Sequence, residues 1–449
     1  RVHEIPDMGR SAKGRNIAIA EWPTETGPAD YVLFVGLTPV GIVEAKRSAK
    51  NVPSVLEQAK RYGRGYPLSG EQESPGGPWG THRIPFLFAT NGREFLRQLI
   101  DESGIWFLDA RRNTNQPRAL EDWYSPEGLA KLLEQDIEAA DRELAETDMS
   151  YLPLWDFQQT AVRAVEQSIA EGERAVLLAM ATGTGKTRTA IGLLYRLIKA
   201  KRFRRILFLV DRTSLGEQAS DAFRTLTLEQ NQSFTDIYDV KTLGDITPES
   251  DTRIQIATVQ GLVKRVLYSD DPPTVDQYDC IVVDECHRGY NLDHDMSEDE
   301  LSFRSEVDYI SKYRRVLDHF DAVKVGLTAT PALHTSEIFG KPVFTYSYRQ
   351  AVVDGRLIDH EPAYRLVTKL NEDGMQWTAG EQMALYRVRH GDVVSAETPD
   401  DVHIEVDQFN KTVLTESFNR TVCQTLAEHI DPSLPGKTLV FCATDRHAD

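Results

Sequence analysis

The residues best suited to chemistry fall into two groups. Residues 180–187 read Met-Ala-Thr-Gly-Thr-Gly-Lys-Thr, and residues 284–287 read Asp-Glu-Cys-His. A glycine-rich run between an apolar strand (Val176 to Met180) and a helix (186–200) is the setting that wraps a phosphate chain. Gly183 and Gly185 let the backbone turn tightly, so that N–H groups along Thr182, Gly183, Thr184 and Gly185 face a nucleotide. The helix start adds positive potential. Lys186 is then placed for β- and γ-phosphates, and Thr187 for Mg²⁺. Met180 stands where such loops usually begin with Gly. Downstream, the apolar run Cys280-Ile281-Val282-Val283 delivers Asp284 as a second Mg²⁺ ligand and Glu285 as the group that orients an attacking water. An acidic pair after a strand is elsewhere often a helix cap. Its place at the carboxyl edge of the same inferred sheet favours the catalytic reading.

The second group is Asp30, Glu44 and Lys46. Phosphodiester cleavage needs a cation to polarise phosphate and activate water, and hard Mg²⁺ prefers carboxylates. Glu44 and Lys46 sit two apart on a strand and share a face, while Asp30 can approach across a hairpin. Asp30 and Glu44 are the candidate metal ligands. On the next helix, Gln58 and Tyr62 share a face one turn apart. Glu-x-Lys alone is a common salt-bridged strand pair; Asp30 before it and Gln58/Tyr62 after it carry the stronger reading. His3, Glu4 and Glu21 are upstream acidic or basic candidates without an assigned role.

The elements that position these groups are legible. Tyr31–Val35, Val40–Glu44 and Phe86–Ala89 are strand-like, with a helix over 53–64 and a polar loop over 69–80. Ser125-Pro126 opens a helix expected to run to about Ala145 as a connector. From about 150 to 345, short apolar strands (176–180, 206–210, 254–258, 280–283, 325–329) alternate with helical patterns, which predicts a parallel sheet covered on both faces. Residues 291–304 read as an acidic exposed loop, and Lys437 to Cys442 as a strand of a further domain.

Composition bounds the class. The 449 residues are 41% hydrophobic and 27% charged, with a net charge of −18. No apolar run approaches the ~20 residues that span a bilayer, so no membrane association is expected. The 4 cysteines lie at 280, 286, 423 and 442, without a Cys-x-x-Cys pair; those in apolar runs are expected to be buried thiols in a reducing, cytoplasmic setting. The acidic balance does not exclude nucleic acid, since phosphates respond to local potential. Basic clusters lie at Lys46, Arg47, Lys50, Lys60, Arg61 and Arg64, and at Lys199, Lys201, Arg202, Arg204 and Arg205. The chain begins with Arg rather than Met, which leaves room for residues upstream.

These motifs, in this order, resemble the first motor domain of superfamily-two helicases. Phe157-Gln158 is similar to that family's adenine-reading motif, which makes Gln158 the expected base reader. Asp284-Glu285-Cys286-His287 resembles its Asp-Glu-x-His box. Thr328-Ala329-Thr330 resembles the motif coupling hydrolysis to movement, together with His287. Asp211-Arg212 and Thr258-Val259-Gln260 resemble motifs that touch the nucleic-acid backbone, through Arg212, Thr258 and Gln260. The upstream group resembles the nuclease family with an Asp…Glu-x-Lys core, in which Lys46 would position or activate water.

A nuclease core followed by such a motor resembles the restriction subunit of type I restriction–modification enzymes. Ala29-Asp30-Tyr31-Val32-Leu33-Phe34, Ala89-Thr90-Asn91-Gly92, Asp284 to Arg288 and Tyr346 to Val352 support this. The resemblance implies an α/β chain: a restriction-endonuclease-like domain (1–148, with the connector helix), a first RecA-like motor domain (149–345), and the start of a second (346–449), expected to be incomplete. It implies double-stranded DNA, ATP and Mg²⁺, a methyltransferase and a specificity subunit as partners, and S-adenosylmethionine through the methyltransferase only. DNA would be pulled by ATP and cut away from the recognition site. Alternatives stay open: a stand-alone DNA or RNA helicase with a structural N-terminal domain, a type III restriction subunit, whose nuclease usually follows the motor, and a DNA-binding scaffold with an inactive nucleotide fold.

Overall fold

The computed structural model describes residues 2–3, 14–47, 51–68, 72–243, 248–287, 306–331, 333–360, 367, 375–387, 392–398, 401–404, 416–431, 433 and 437–442. Lys50, Glu4, Arg288 and the acidic stretch 291–304 lie outside them. Two compact units emerge, Arg1–Ile358 and Asp359–Asp449.

The first unit holds two seven-stranded sheets. The N-terminal sheet runs in chain order: β1 (Val2–His3), β2 (Asn16–Thr24), β3 (Gly27–Val35), β4 (Thr38–Ala45), β5 (Phe86–Thr90), β6 (Ile105–Asp109) and β7 (Arg118–Leu120). Four neighbouring pairs are antiparallel, whereas β1 with β2 and β4 with β5 are parallel. A parallel pair needs a crossover, and helix α1 (Val52–Arg64) supplies it, capped by Asn51 and buried through Val52, Val55, Leu56, Ala59 and Tyr62. The expected connector helix is broken: α2 (Pro126–Glu134) is capped by Ser125, and α3 (Ile137–Glu146) starts afresh with Asp136 as its cap. Asp136 accepts the N–H of Ala139, so a residue read as helix interior opens a second helix instead.

After α4 (Asp156–Ala170) comes the second sheet, of β8 (Ala175–Met180), β9 (Ile206–Val210), β12 (Val240–Lys241), β13 (Ile254–Thr258), β14 (Cys280–Val283), β15 (Val323–Thr328) and β16 (Pro342–Tyr346). Its order is β12-β13-β9-β14-β15-β8-β16, every pair parallel. The helices are α5 (Lys186–Lys199), α6 (Thr213–Thr225), a short α7 (Phe234–Ile237), α8 (Val259–Leu267), α9 (Glu306–His319), α10 (Leu333–Phe339) and α11 (Tyr348–Val353); a small ribbon pairs β10 (Thr227–Glu229) with β11 (Gln232–Ser233). Alternate residues enter opposite cores: Ile206, Phe208 and Val210 one, Leu207 and Leu209 the other. A strand apolar on both sides is what two helical layers demand. Tyr346 and Ala351 are buried in the first of these cores, so the chain past 345 still belongs to this sheet.

In the second unit β17 (Met375–Trp377) pairs with β20 (Val402–Ile404), β18 (Gln382–Arg387) with β19 (Asp392–Glu397), and α12 spans Glu416–His429. The expected strand from Lys437 to Cys442 is not formed; Leu439 and Phe441 stand exposed at 76% and 87%. An apolar run becomes a strand only when a sheet edge receives it. Cys280 and Cys286 are buried, whereas Cys442, expected to be buried, is exposed like Cys423.

Candidate nucleotide and nuclease sites

The two groups of residues sit at different sheets. At the carboxyl edge of the second sheet, β8 and β14 are separated only by β15. That spacing brings the phosphate loop and the acidic box together: Lys186 Nζ lies 3.2 Å from Glu285 Oε1. The loop turns through Gly183 at φ 85° and Gly185 at φ 81°, left-handed values that favour glycine. Thr184 is buried and its hydroxyl donates to the carbonyl of Ala181 at 2.6 Å. Thr182 and Gly183 are exposed at the mouth, and Thr187 is half-buried on the first turn of α5.

Asp284 is fixed by its N–H to Leu209 O, and its carboxylate receives the N–H of Glu285 at 2.9 Å. Burial, then the neighbouring Glu285, pushes its carboxyl up to about 6. Glu285 holds φ 47°, a left-handed conformation that costs a non-glycine residue about 1–2 kcal/mol, and its Oε2 is buried without a hydrogen-bond partner. A cation and a polarised water would relieve that cluster. Behind it, His287 Nδ1 lies 3.0 Å from Thr328 Oγ1, and Thr328 Oγ1 receives the N–H of Thr330 at 3.1 Å. The acidic box and the Thr328-Ala329-Thr330 segment are therefore joined by one imidazole–hydroxyl contact.

Gln158 takes a different place from the one its motif suggests. It is fully buried; its Oε1 accepts the N–H of Trp155 at 3.0 Å, and its Nε2 donates to Thr184 O at 2.9 Å and Gly185 O at 3.4 Å. The expected base reader spends its amide on the loop backbone. Of the residues expected to meet nucleic acid, Arg212 is partly exposed beside Asp211. Thr258 instead caps α8 by accepting the N–H of Gly261, and Gln260 is 8% exposed.

The nuclease group gathers on the N-terminal sheet. Tyr31 pairs with Val43, so the same register sets Asp30 opposite Glu44. Asp30 Oδ2 accepts the N–H of Ala45 at 2.7 Å. Glu44 is fully buried, bonded to Lys46 through Oε1, with Oε2 lacking a partner. Burial raises the Glu44 carboxyl; Lys46 opposes this and Asp30 adds to it. Lys46 in turn is held up chiefly by its bond to Glu44. A buried, unpartnered carboxylate oxygen beside a second carboxylate fits a hard cation. Among the described residues no group of three or more His, Cys, Asp or Glu gathers at metal distance, so water or phosphate would complete either coordination sphere. Gln58 Nε2 donates to Tyr62 OH at 2.8 Å on the adjacent helix.

Arg47, Arg61 and Arg64 are exposed. The second basic cluster is mostly spent internally: Lys199 pairs with Glu229, Arg202 with Asp141, and Arg204 and Arg205 donate to backbone carbonyls.

What the sequence did not disclose is the joint between the sheets. It lies at the amino edge of the second sheet. Asp321, just before β15, receives Arg118, Arg174 and Tyr124; Asp276 receives Ser125; Asp279, just before β14, receives Gln135 and the N–H groups of Arg204 and Arg205. Six residues of strand, at about 3.3 Å each, separate this joint from the nucleotide edge.

Residues 6–133 match the family model of the second domain of the type I restriction enzyme EcoKI endonuclease subunit, and residues 151–333 that of the type III restriction enzyme res subunit. The EcoKI endonuclease subunit of Escherichia coli (strain K12) is 48% identical over 98% of this chain and 40% of its own length. The EcoAI endonuclease subunit of Escherichia coli is 27% identical over 94% of this chain and 47% of its own length. A solved fragment assigned to an HsdR subunit of a type I restriction enzyme from Vibrio vulnificus YJ016 is 26% identical, covering 73% of this chain and 51% of that one at a TM-score of 0.32. The chain thus spans less than half the length of the curated relatives it matches. With these matches running through both sheets, the chain belongs to the endonuclease-subunit (HsdR) family of type I restriction enzymes.

Proposed function

We propose that the protein is an ATP-dependent double-stranded DNA translocase and Mg²⁺-dependent endonuclease, cutting DNA away from the site its complex recognises. We read residues 1–148 as the endonuclease domain, 149 onward as the first motor domain with 346–358 as its closing edge, and the second compact unit as the start of another motor domain. The observation that carries this is the coexistence in one compact unit of the Lys186–Glu285 pocket and the Asp30–Glu44–Lys46 row.

In the motor, the loop from Thr182 to Thr187 binds triphosphate, and Lys186 leaves Glu285 for the phosphates. Glu285 is then free to orient water, while Thr187 and Asp284 hold Mg²⁺. Loss of the γ-phosphate alters the Glu285 environment, and His287 passes that change to Thr328. In the nuclease, Asp30 and Glu44 hold Mg²⁺, which supplies charge to polarise the scissile phosphate. Lys46 orients the attacking water, and Arg47, Arg61 and Arg64 contact DNA phosphates. Backbone contacts of this kind carry no sequence information, so recognition is delegated to a specificity subunit, with a methyltransferase subunit binding any S-adenosylmethionine. No described helix is long and apolar enough to cross a membrane, and we assign the assembly to the cytoplasm.

The test is the full-length subunit reconstituted with its methyltransferase and specificity subunits on circular DNA. Lys46→Ala is expected to keep ATP turnover and lose cutting; Lys186→Ala is expected to lose both in the complex. Continued cutting by the Lys46→Ala complex overturns the nuclease assignment.

A further inference from the structure

A buried imidazole nitrogen of the N-terminal domain has no role so far. His82 Nε2 is enclosed and has no hydrogen-bond partner. The ring is held in place by its backbone. Trp79 and His82 exchange backbone hydrogen bonds at 2.9 and 3.0 Å, and the next two N–H groups, of Arg83 and Ile84, reach Gly63 O at 2.8 and 3.3 Å. The turn is thus pinned to the end of α1. A Cβ at Gly63 would stand 3.6 Å from His82 Cδ2, the carbon bonded to Nε2, so the ring lies against the helix where glycine leaves room. On either side of Gly63, Lys60 and Arg64 are four residues apart and share a face of α1. Arg64 is exposed, and Lys60 is paired at 2.6 Å with Glu57, a carboxylate that is itself 68% exposed. An ion pair so open to water contributes little, so Lys60 can leave it for a better anion. Burial first, then Arg64 and Lys60, hold the His82 pKa below 6.5, against the Trp79 backbone and Glu57.

Resting on the reading of Asp30, Glu44 and Lys46 as a nuclease site, we propose that His82, Lys60 and Arg64 form a clamp for a backbone phosphate of the DNA being cut, several nucleotides from the scissile one. Imidazolium, ammonium and guanidinium all donate hydrogen bonds and accept none. That set suits a phosphate diester and repels a metal ion, which a lone neutral imidazole could otherwise ligate. The link to the catalytic row runs through the hairpin of β2 and β3. At its tip the N–H of Glu25 bonds Gly65 O at 2.8 Å, and the Glu25 carboxylate pairs with Arg83 at 3.3 Å. From Glu25 to Asp30 the chain covers at most about 17 Å, at about 3.3 Å per residue. Each strand of a duplex carries a phosphate every ~3.4 Å of helix axis, so DNA seated on Asp30 brings further phosphates to the end of α1. Bound phosphate favours the imidazolium. Binding therefore takes up a proton, and the contact weakens as pH rises. Lys60, Arg64 and Glu57 of α1 and the Trp79 backbone are the groups that bear on that proton.

The experiment measures cutting of circular DNA and ATP turnover by the full-length subunit reconstituted with its methyltransferase and specificity subunits, at about pH 6.5 and 8.5. At the lower pH, His82→Gln is expected to cut about five- to tenfold more slowly than wild type. Its deficit should shrink at the higher pH, where the wild-type ring is neutral as well. Arg64→Ala is expected to show a similar deficit at both, since a guanidinium stays charged. ATP turnover should match wild type in each variant, which also shows that the fold is intact. Wild-type cutting by His82→Gln at the lower pH overturns the clamp, and so does a deficit equal at both pH values, the mark of a merely structural histidine. Wild-type cutting by Arg64→Ala, at an exposed position, overturns it too. Cutting that persists in Lys46→Ala overturns the nuclease reading instead, whatever His82→Gln does.

Discussion

Arg118 and Asp321, 203 residues apart, close a two-pronged ion pair across the joint of the two sheets, Nε to Oδ1 and Nη2 to Oδ2 at 2.5 Å each. Asp321 also takes Tyr124 OH at 2.5 Å and Arg174 at 2.6 Å, and its side chain is 2% exposed. The pair stands at the foot of β15, whose other end carries Thr328. The N-terminal sheet is thus fastened to the strand whose far end carries Thr328, in contact with His287.

Breaking this cluster leaves the partly exposed Arg118 and Arg174 without the buried carboxylate they share. Asp321→Ala is expected to cost about 1.5–3 kcal/mol, read as a lower denaturant midpoint. Burial alone would raise the Asp321 carboxyl, but Arg118 and Arg174 outweigh it and hold it well below the ordinary value of 3.8. A depressed carboxyl contributes stability above its unfolded pKa and loses it as pH falls through the folded one. Asp321→Asn should therefore flatten the acid limb of the stability curve below about pH 4; an unchanged limb refutes the assignment.

His319 gives the joint a dependence of opposite sign. Its Nδ1 lies 3.1 Å from Glu121 and its Nε2 2.7 Å from Pro273 O. Two acceptors call for two N–H groups, which only imidazolium has. Burial lowers its pKa, but Glu121, the Pro273 carbonyl and Asp122 raise it further. Stability from a raised histidine is complete below its unfolded value near 6.5 and fades as pH rises through the folded one. Glu121→Gln should cost about 1.5–3 kcal/mol at pH 6 and clearly less at pH 9, measured by urea unfolding.

Gly185→Ala tests the loop. The new Cβ would sit 2.6 Å from Gln158 Nε2, at φ 81°. The strain amounts to about 1–2 kcal/mol. Affinity for ATP and for tripolyphosphate should fall more than about tenfold, since the loop N–H groups lose their aim. A calorimetric titration that finds wild-type binding excludes this geometry.

Glu44→Gln should separate stability from activity. Glu44 is buried and its Oε2 has no partner, so removing the charge relieves desolvation even as it weakens the bond to Lys46. The thermal midpoint is expected to hold or rise, while Mg²⁺-dependent DNA cutting by the reconstituted complex disappears. A variant that still cuts at the wild-type rate would remove Glu44 from the metal site.

The local features were readable from the chain. The apolar runs of β3, β4, β5, β8, β9 and β14 declare themselves because a strand buried on one or both faces needs such residues whatever it pairs with. The turn through Gly183 and Gly185 was readable for the same reason, since these glycines answer a backbone demand within a few residues. Where an outcome depends on a partner far along the chain, the reading went astray or stayed silent. The helix expected from 125 to 145 breaks at Asp136, whose carboxylate can cap as well as sit on a helix surface. The run from Lys437 to Cys442 found no sheet edge among the described residues of its unit. Gln158 had an amide free for a base until the fold brought the backbone of Thr184 and Gly185 against it.

The sequence alone determined which groups can do chemistry and the α/β rhythm that carries them, because residue type and short-range period set charge, hydrogen-bonding capacity and strand or helix preference. The tertiary structure decided which of those groups meet. Parallel strand order places Lys186 by Glu285, and hairpin register places Asp30 by Glu44. The folded joint buries Asp321 among arginines, a pairing whose energy comes from excluding water between residues that no local pattern connects.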